Sequence, residues 1–291
     1  MLKLTLLALL VLGAQDPKPV PGVKVVKDLA YGSDERHKLD LYLPEKSTGP
    51  RPVVVCIHGG GWAGGDKARY QWLGEALAQK GFVAASVTYR FAPKFRAPAP
   101  MEDVQRAVRW LRKNAATYEL DPARFGAIGG SAGGHLASWL ALSDPLDTSD
   151  AELKDISCRV QCAVDCYGPV DLEAMMKSAS APIVESFLGK PLAGNEEAYR
   201  KASPHFLVRK DPPPILIVHG TEDIGTKRGQ VPMEQSTAFL EKLKAAGGDA
   251  QLLKFEGAPH GFSHNGANKH AQALLPAALE FFGKHLAAKK P

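Results

Sequence analysis

Arg124-Phe125-Gly126-Ala127-Ile128-Gly129-Gly130-Ser131-Ala132-Gly133 decides how this chain is read. The spacing predicts a buried strand over residues 124–128 and a helix from Ala132 onward. Between the two, residues 129–133 spell G-x-S-x-G. Small neighbours let a serine sit on a sharp strand-to-helix turn with strained backbone, which lifts its hydroxyl clear of the sheet. The N-terminus of the following helix offers free N–H groups and a dipole to negative charge developing beside that hydroxyl. Ser131 is therefore the candidate nucleophile. In a chain with 28 glycines the motif alone is weak. Its single occurrence, between a strand and a helix, gives it weight.

Working outward, residues 52–57 form a continuous apolar run, the pattern of a strand buried on both faces. His58-Gly59-Gly60-Gly61-Trp62 follows. Three glycines let backbone N–H groups turn inward without side chains in the way, which suits an oxyanion hole shared with the N–H of Ala132. A flexible glycine turn is the alternative. No Gly-Lys-Ser/Thr follows and no G-x-G-x-x-G occurs, so a phosphate loop is not expected. Trp62 either lines a substrate pocket or anchors the glycine loop.

A serine becomes a good nucleophile only when a base removes its proton and an acid holds that base in the right tautomer. The chain order for a strand-turn-helix serine is Ser, carboxylate, His. The apolar run at 215–218 leads into His219-Gly220-Thr221-Glu222-Asp223. A carboxylate just beyond a strand's C-terminal end lies on the active edge of a parallel sheet. Asp223 is the candidate acid, with Glu222 as second choice. The next strand, 251–255, leads into Glu256-Gly257-Ala258-Pro259-His260. His260 is the candidate base and nearby His264 its rival. His205, His219, His270 and His285 fit the expected loop less well.

Short apolar runs alternate with amphipathic stretches along the chain, which predicts an α/β fold with a mostly parallel central sheet flanked by helices. Further strands are expected at 23–30, 39–43, 82–89 and 160–167. Helices are expected at 70–79, 101–116, 237–246 and 271–286. Residues 171–211 carry only short helical pieces, broken by Pro182, Gly189, Pro191, Gly194 and Pro204. They read as a small helical lid or pocket wall inserted into one domain spanning 23–291.

Composition narrows the function. With 45% hydrophobic and 23% charged residues the chain is globular, not disordered or fibrous. The 36 basic and 31 acidic residues are interleaved with no long run of one sign, so a nucleic-acid partner is not expected. Residues 1–14 have the basic start, short apolar core and small residues of a signal peptide, so export to the periplasm or the medium is expected. That core is too short for a stable membrane span. Residues 15–22, with three prolines, read as a linker. If the run around Cys158, Cys162 and Cys166 is a strand, the three lie on one face about 13 Å apart and cannot bridge one another. Buried free thiols are expected, a bridge from Cys56 being the alternative. Asp66 is expected to cap a helix, Arg90 and Asp103 to form a structural ion pair, and His135 to pack. No His, Asp or Glu cluster has metal-ligand spacing, so neither metal nor cofactor is expected.

Taken together, His58 to Trp62, Tyr89-Arg90-Phe91-Ala92-Pro93, Pro100-Met101-Glu102-Asp103-Val104, Gly129 to His135, Tyr167-Gly168-Pro169, His219 to Asp223 and His260-Gly261-Phe262 resemble the α/β-hydrolase esterases and lipases of the hormone-sensitive-lipase-like group. The resemblance is greatest to the bacterial feruloyl/acetyl-xylan esterase-like (BD-FAE-like) branch. It implies an α/β-hydrolase fold, serine ester hydrolysis by Ser131, Asp223 and His260, and Gly60, Gly61 and Ala132 as oxyanion donors. It also implies a small-molecule or polysaccharide ester as substrate, and the compact insertion favours short acyl chains. Two departures stand out. The family usually has Glu where this chain has Gly130, and Val-Pro soon after the acid, where residues 224–230 intervene before Val231-Pro232. A kynurenine-formamidase-like amidase shares the HGGGW pattern. Non-catalytic binding relatives of the fold usually lack a triad member, and here all three are present.

Overall fold

A computed structural model describes residues 20–46, 49–146 and 150–288. The signal peptide expected at 1–14 and residues 15–19 of the expected linker lie outside the described residues.

Eight strands form one sheet in the order β1-β2-β4-β3-β5-β6-β7-β8. They are β1 (Val23–Ala30), β2 (Lys38–Pro44), β3 (Arg51–Ile57), β4 (Val83–Val87), β5 (Leu120–Gly130), β6 (Cys162–Cys166), β7 (Ile215–Gly220) and β8 (Ala250–Phe255). β1 and β2 pair antiparallel, as do β2 and β4. Every pairing from β4 through β8 is parallel. The chain has the α/β-hydrolase fold.

The strand pattern explains the layers. In β3, Val53, Val55 and Ile57 join one apolar cluster while Val54 and Cys56 join the other, the two-residue alternation of a sheet covered on both faces. The first cluster receives Val104, Val108 and Leu111 of α2 (Ala99–Lys113), Leu136 and Leu140 of α3 (Ala132–Leu142), and Phe239 and Leu243 of α8 (Met233–Ala245). The second receives Leu73 and Leu77 of α1 (Gln71–Gln79) and Leu274, Ala278 and Phe282 of α9 (Lys269–His285). Each fully buried Val, Leu or Phe among these contributes about 1.5–3 kcal/mol.

Residues 171–211 hold four short helices, α4 (Leu172–Met175), α5 (Ala181–Leu188), α6 (Glu196–Ala202) and α7 (Pro204–Leu207). Asp66 caps a 3₁₀ turn, Lys67–Tyr70, by accepting from the Ala68 N–H at 2.9 Å. The Arg90 Nε donates to Asp103 at 2.9 Å, and His37 shares the same carboxylate at 2.9 Å, tying the end of β4 to α2. One expectation is corrected. β6 begins only at Cys162, so Cys158 lies outside the strand and shares no face with Cys162 and Cys166. All four cysteines are buried and free.

Candidate active site

β5 ends in the turn that the sequence predicts. Ser131 sits at φ +59°, ψ −124°, a conformation rare for a residue with a side chain, and α3 starts directly after it. The glycines on either side are required by contact. A Cβ on Gly129 would meet the Gly133 carbonyl oxygen at 2.2 Å, and one on Gly133 would meet the Ile57 carbonyl oxygen at 2.0 Å. The turn is pinned further by the Ser131 N–H, which donates to the Cys166 carbonyl at 2.9 Å.

His260, in the loop after β8, brings Nε2 to 2.9 Å from Ser131 Oγ. Its Nδ1 lies 2.5 Å from Asp223 Oδ2. An ionised carboxylate only accepts, so Nδ1 carries the proton and Nε2 is left to accept from the serine hydroxyl. Asp223 is fully buried, and its Oδ1 accepts from the Val231 N–H at 2.8 Å. The long excursion of residues 224–230 thus closes on the carboxylate it follows. Glu222 is exposed, and among the described residues its carboxylate is bonded to neither histidine. His264 borders the same cavity but is bonded to neither Ser131 nor Asp223. Burial pushes its pKa down to about 4, so it is neutral at pH 7.

Ser131, His260, Gly60, Gly61 and Ala132 all line one cavity of about 360 Å³. Ala132 is the first residue of α3, so its N–H has no acceptor within the helix. Met175, Ile183 and Val184, from the 171–211 segment, supply apolar wall. Trp62 borders the cavity and also anchors the glycine loop, so both roles expected of it meet in one side chain. Its indole is 2% exposed, stacks on Phe187 at 4.3 Å between centroids, and donates to His135 Nδ1 at 3.2 Å. His135 Nε2 in turn donates to the Ala202 carbonyl at 2.8 Å. Trp62 and His135 therefore anchor the glycine loop to α3 and the insertion, and His135 does not reach the cavity.

Sequence reasoning missed a hydroxyl cluster behind the site. Ser263 Oγ lies 2.5 Å from Tyr167 Oη and 3.3 Å from Tyr70 Oη, and the Ser263 N–H donates to Tyr167 Oη at 3.1 Å. The Tyr167 ring stands 4.8 Å from the His260 ring. The cluster fixes the loop that carries His260. A Cβ on Gly130 would meet all three hydroxyl oxygens at 2.8–2.9 Å, so a side chain there would have to displace the cluster. Among the described residues no group of three or more His, Cys, Asp or Glu side chains is placed to hold a metal ion, and no helix is long and apolar enough to cross a membrane.

Residues 39–243 match the BD-FAE family. The chain belongs to the BD-FAE family. Esterase LipC of Mycobacterium tuberculosis is 33% identical to this BD-FAE member over 259 residues, covering 84% of the chain and 63% of LipC. The chain thus spans less than two thirds of that relative's length. Among solved structures, a truncated carbohydrate esterase from gut microbiota superposes with a TM-score of 0.81 at 27% identity, covering 93% of this chain and 99% of that one. Est2 of the planctomycete Thermogutta terrifontis, solved with propionate bound, superposes with a TM-score of 0.75 at 31% identity, covering 93% and 97%.

Proposed function

We propose that this chain is a carboxylic ester hydrolase that works through an acyl-enzyme. Ser131 is the nucleophile, His260 the general base and Asp223 the acid that orients it. The observation that carries this reading is the unbroken hydrogen-bonded chain from Asp223 through His260 to Ser131 beside an apolar cavity. Ser131 attacks the ester carbonyl as Nε2 of His260 takes its proton, and Asp223 stabilises the imidazolium that forms. The tetrahedral oxyanion is held by N–H groups of Gly60, Gly61 and Ala132, and by the positive end of α3. His260 then protonates the departing alcohol, and water releases the acyl group by the same proton path.

A cavity near the small end of the range for ligand sites supports short acyl groups. The propionate found in Est2 supports the same reading. Likeness to a carbohydrate esterase supports an acylated plant polysaccharide as one natural source of the ester. Residues 1–14 support export. Protein recovered outside the cytoplasm should then begin near Gln15 by N-terminal sequencing.

The test is a p-nitrophenyl ester series from acetate to palmitate with the parent and Ser131→Ala. Turnover should be best on the shortest esters and fall by about 10⁴-fold or more in kcat in the variant. Unimpaired turnover by Ser131→Ala would sink the assignment, and better turnover of palmitate than of acetate would sink the short-chain reading.

A further inference from the structure

The cavity holding Ser131 is bordered by two arginines and by no aspartate or glutamate. Arg69 comes from the capped 3₁₀ turn after the glycine loop, and Arg228 from the excursion 224–230 that separates Asp223 from Val231. Both are exposed. Among the described residues neither side chain makes an ion pair or hydrogen bond. Five other arginines are engaged, Arg90, Arg106 and Arg124 with carboxylates and Arg109 and Arg112 with carbonyls. The rest of the lining is apolar side chains, glycines and uncharged polar groups such as Ser180 and Gln230, so two unpaired cations on its rim make a one-signed field at the mouth.

The excursion that presents Arg228 is held by its own bonds. Gly229 N–H donates to Ser180 Oγ at 3.0 Å, and that hydroxyl donates to the Gln230 carbonyl at 2.8 Å. Gln230 Nε2 donates to the Glu222 carbonyl at 3.2 Å, and its Oε1 accepts from the Lys227 N–H at 3.0 Å. Asp223 needs only the Val231 N–H from this region, so the remainder of the excursion is free to shape recognition. Residues 228–231 all border the cavity.

We propose that Arg69 and Arg228 select esters bearing a carboxylate away from the scissile bond. The inference rests on the ester-hydrolase reading and names its substrate class. Guanidinium groups suit carboxylates because they remain charged and present paired donors. The anion can belong to the alcohol part, as in an acylated uronic acid, or to the acyl part, as in a half-ester of a dicarboxylic acid.

Two matched substrate pairs distinguish these sources. On the alcohol side, meta-acetoxybenzoate is compared with meta-acetoxybenzamide; on the acyl side, the phenyl half-ester of adipic acid with the phenyl ester of its monoamide. The ratio of kcat/KM, anionic over neutral, should favour the anion by about tenfold at low salt in one pair, chiefly through KM, and shrink as salt rises. It should fall to near one in the Arg69→Gln/Arg228→Gln double variant and invert in the Arg69→Glu/Arg228→Glu double variant. A parent that shows no preference in either pair, or a preference that survives the double variant, overturns the proposal. If neither member of either pair is cleaved and p-nitrophenyl acetate is not turned over either, the ester-hydrolase reading fails instead. Calorimetric binding of meta-hydroxybenzoate, compared with meta-hydroxybenzamide, then still tests the arginines. Equal binding of the two by the parent overturns their role.

Discussion

Gly130 shows how one residue couples the serine turn to the histidine loop. The volume that a side chain would need there is filled by the hydroxyls of Tyr70, Tyr167 and Ser263. Gly130→Ala should destabilise the protein by about 1–3 kcal/mol in urea unfolding and lower kcat, because the three hydroxyls must move and the His260 loop moves with them. Tyr167→Phe leaves the Ser263 N–H without its acceptor and should cost about 1–2 kcal/mol. Its kcat on p-nitrophenyl acetate should fall while KM stays near the parent value, since the change acts through the position of His260. An unchanged kcat would mean that the cluster serves packing alone. None of this was legible in the sequence. Ser263 lies 96 residues from Tyr167 and 193 from Tyr70, and no local spacing joins them. Ser131, Asp223 and His260 could be picked out because each stands just beyond a strand with a clear apolar pattern.

At the scale of elements, the glycine loop, α3 and the 171–211 segment meet at Trp62, His135 and Phe187. Trp62→Ala should cost about 3–5 kcal/mol, since it removes a fully buried indole and orphans His135 Nδ1. Its thermal midpoint should fall clearly even with a short ester product bound. Element existence was readable from period and composition, whereas several ends were not. α8 begins at Met233, earlier than expected, because Pro232 already has the extended backbone of an N-cap. β6 is shorter than its apolar run because Val160 is buried without being in the ladder. The 171–211 segment could be recognised as helical pieces from its prolines and glycines. Which of its residues reach the cavity depends on packing against α3 and the 224–230 excursion, and no periodicity reports that.

Over the whole molecule, stability should depend on pH through groups buried uncharged. Burial pushes His58 down to about 3 and both His135 and His264 to about 4, against an ordinary value of 6.5. Above pH 6.5 these rings are neutral folded or unfolded. Below it the unfolded chain takes up protons that the folded chain refuses, so stability is lost as pH falls from 6.5 toward 4. Asp165 works in the opposite sense. Burial raises it from 3.8 to about 6, against the hydrogen bonds it accepts from Ser138 and Gly168. The folded state therefore favours its protonated form, and its contribution is lost as pH rises from about 4 through 6. Three histidines outweigh one aspartate, so thermal midpoints should decline from pH 7 to pH 4. Asp165→Asn should raise the midpoint above pH 6, by up to about 3 kcal/mol in stability, and have little effect near pH 4. A variant that gained equally at both pH values would refute the assignment to Asp165. The α/β class was readable because it follows from alternating apolar runs, but these buried polar groups follow from which helix lies over which strand.

The sealed thiols have a practical consequence. Cys56, Cys162 and Cys166 lie in the sheet's interior, and burial raises their pKa values, that of Cys162 to about 12. A thiol reagent needs both access and thiolate, and the native protein denies it both. Alkylation of these three, told apart from Cys158 by peptide mapping, can then proceed only through openings of the sheet, so its rate is a chemical clock for how often this molecule comes apart. Read against denaturant, that clock would give the opening free energy of β3 and β6, the two strands that flank the serine turn, with no mutation added.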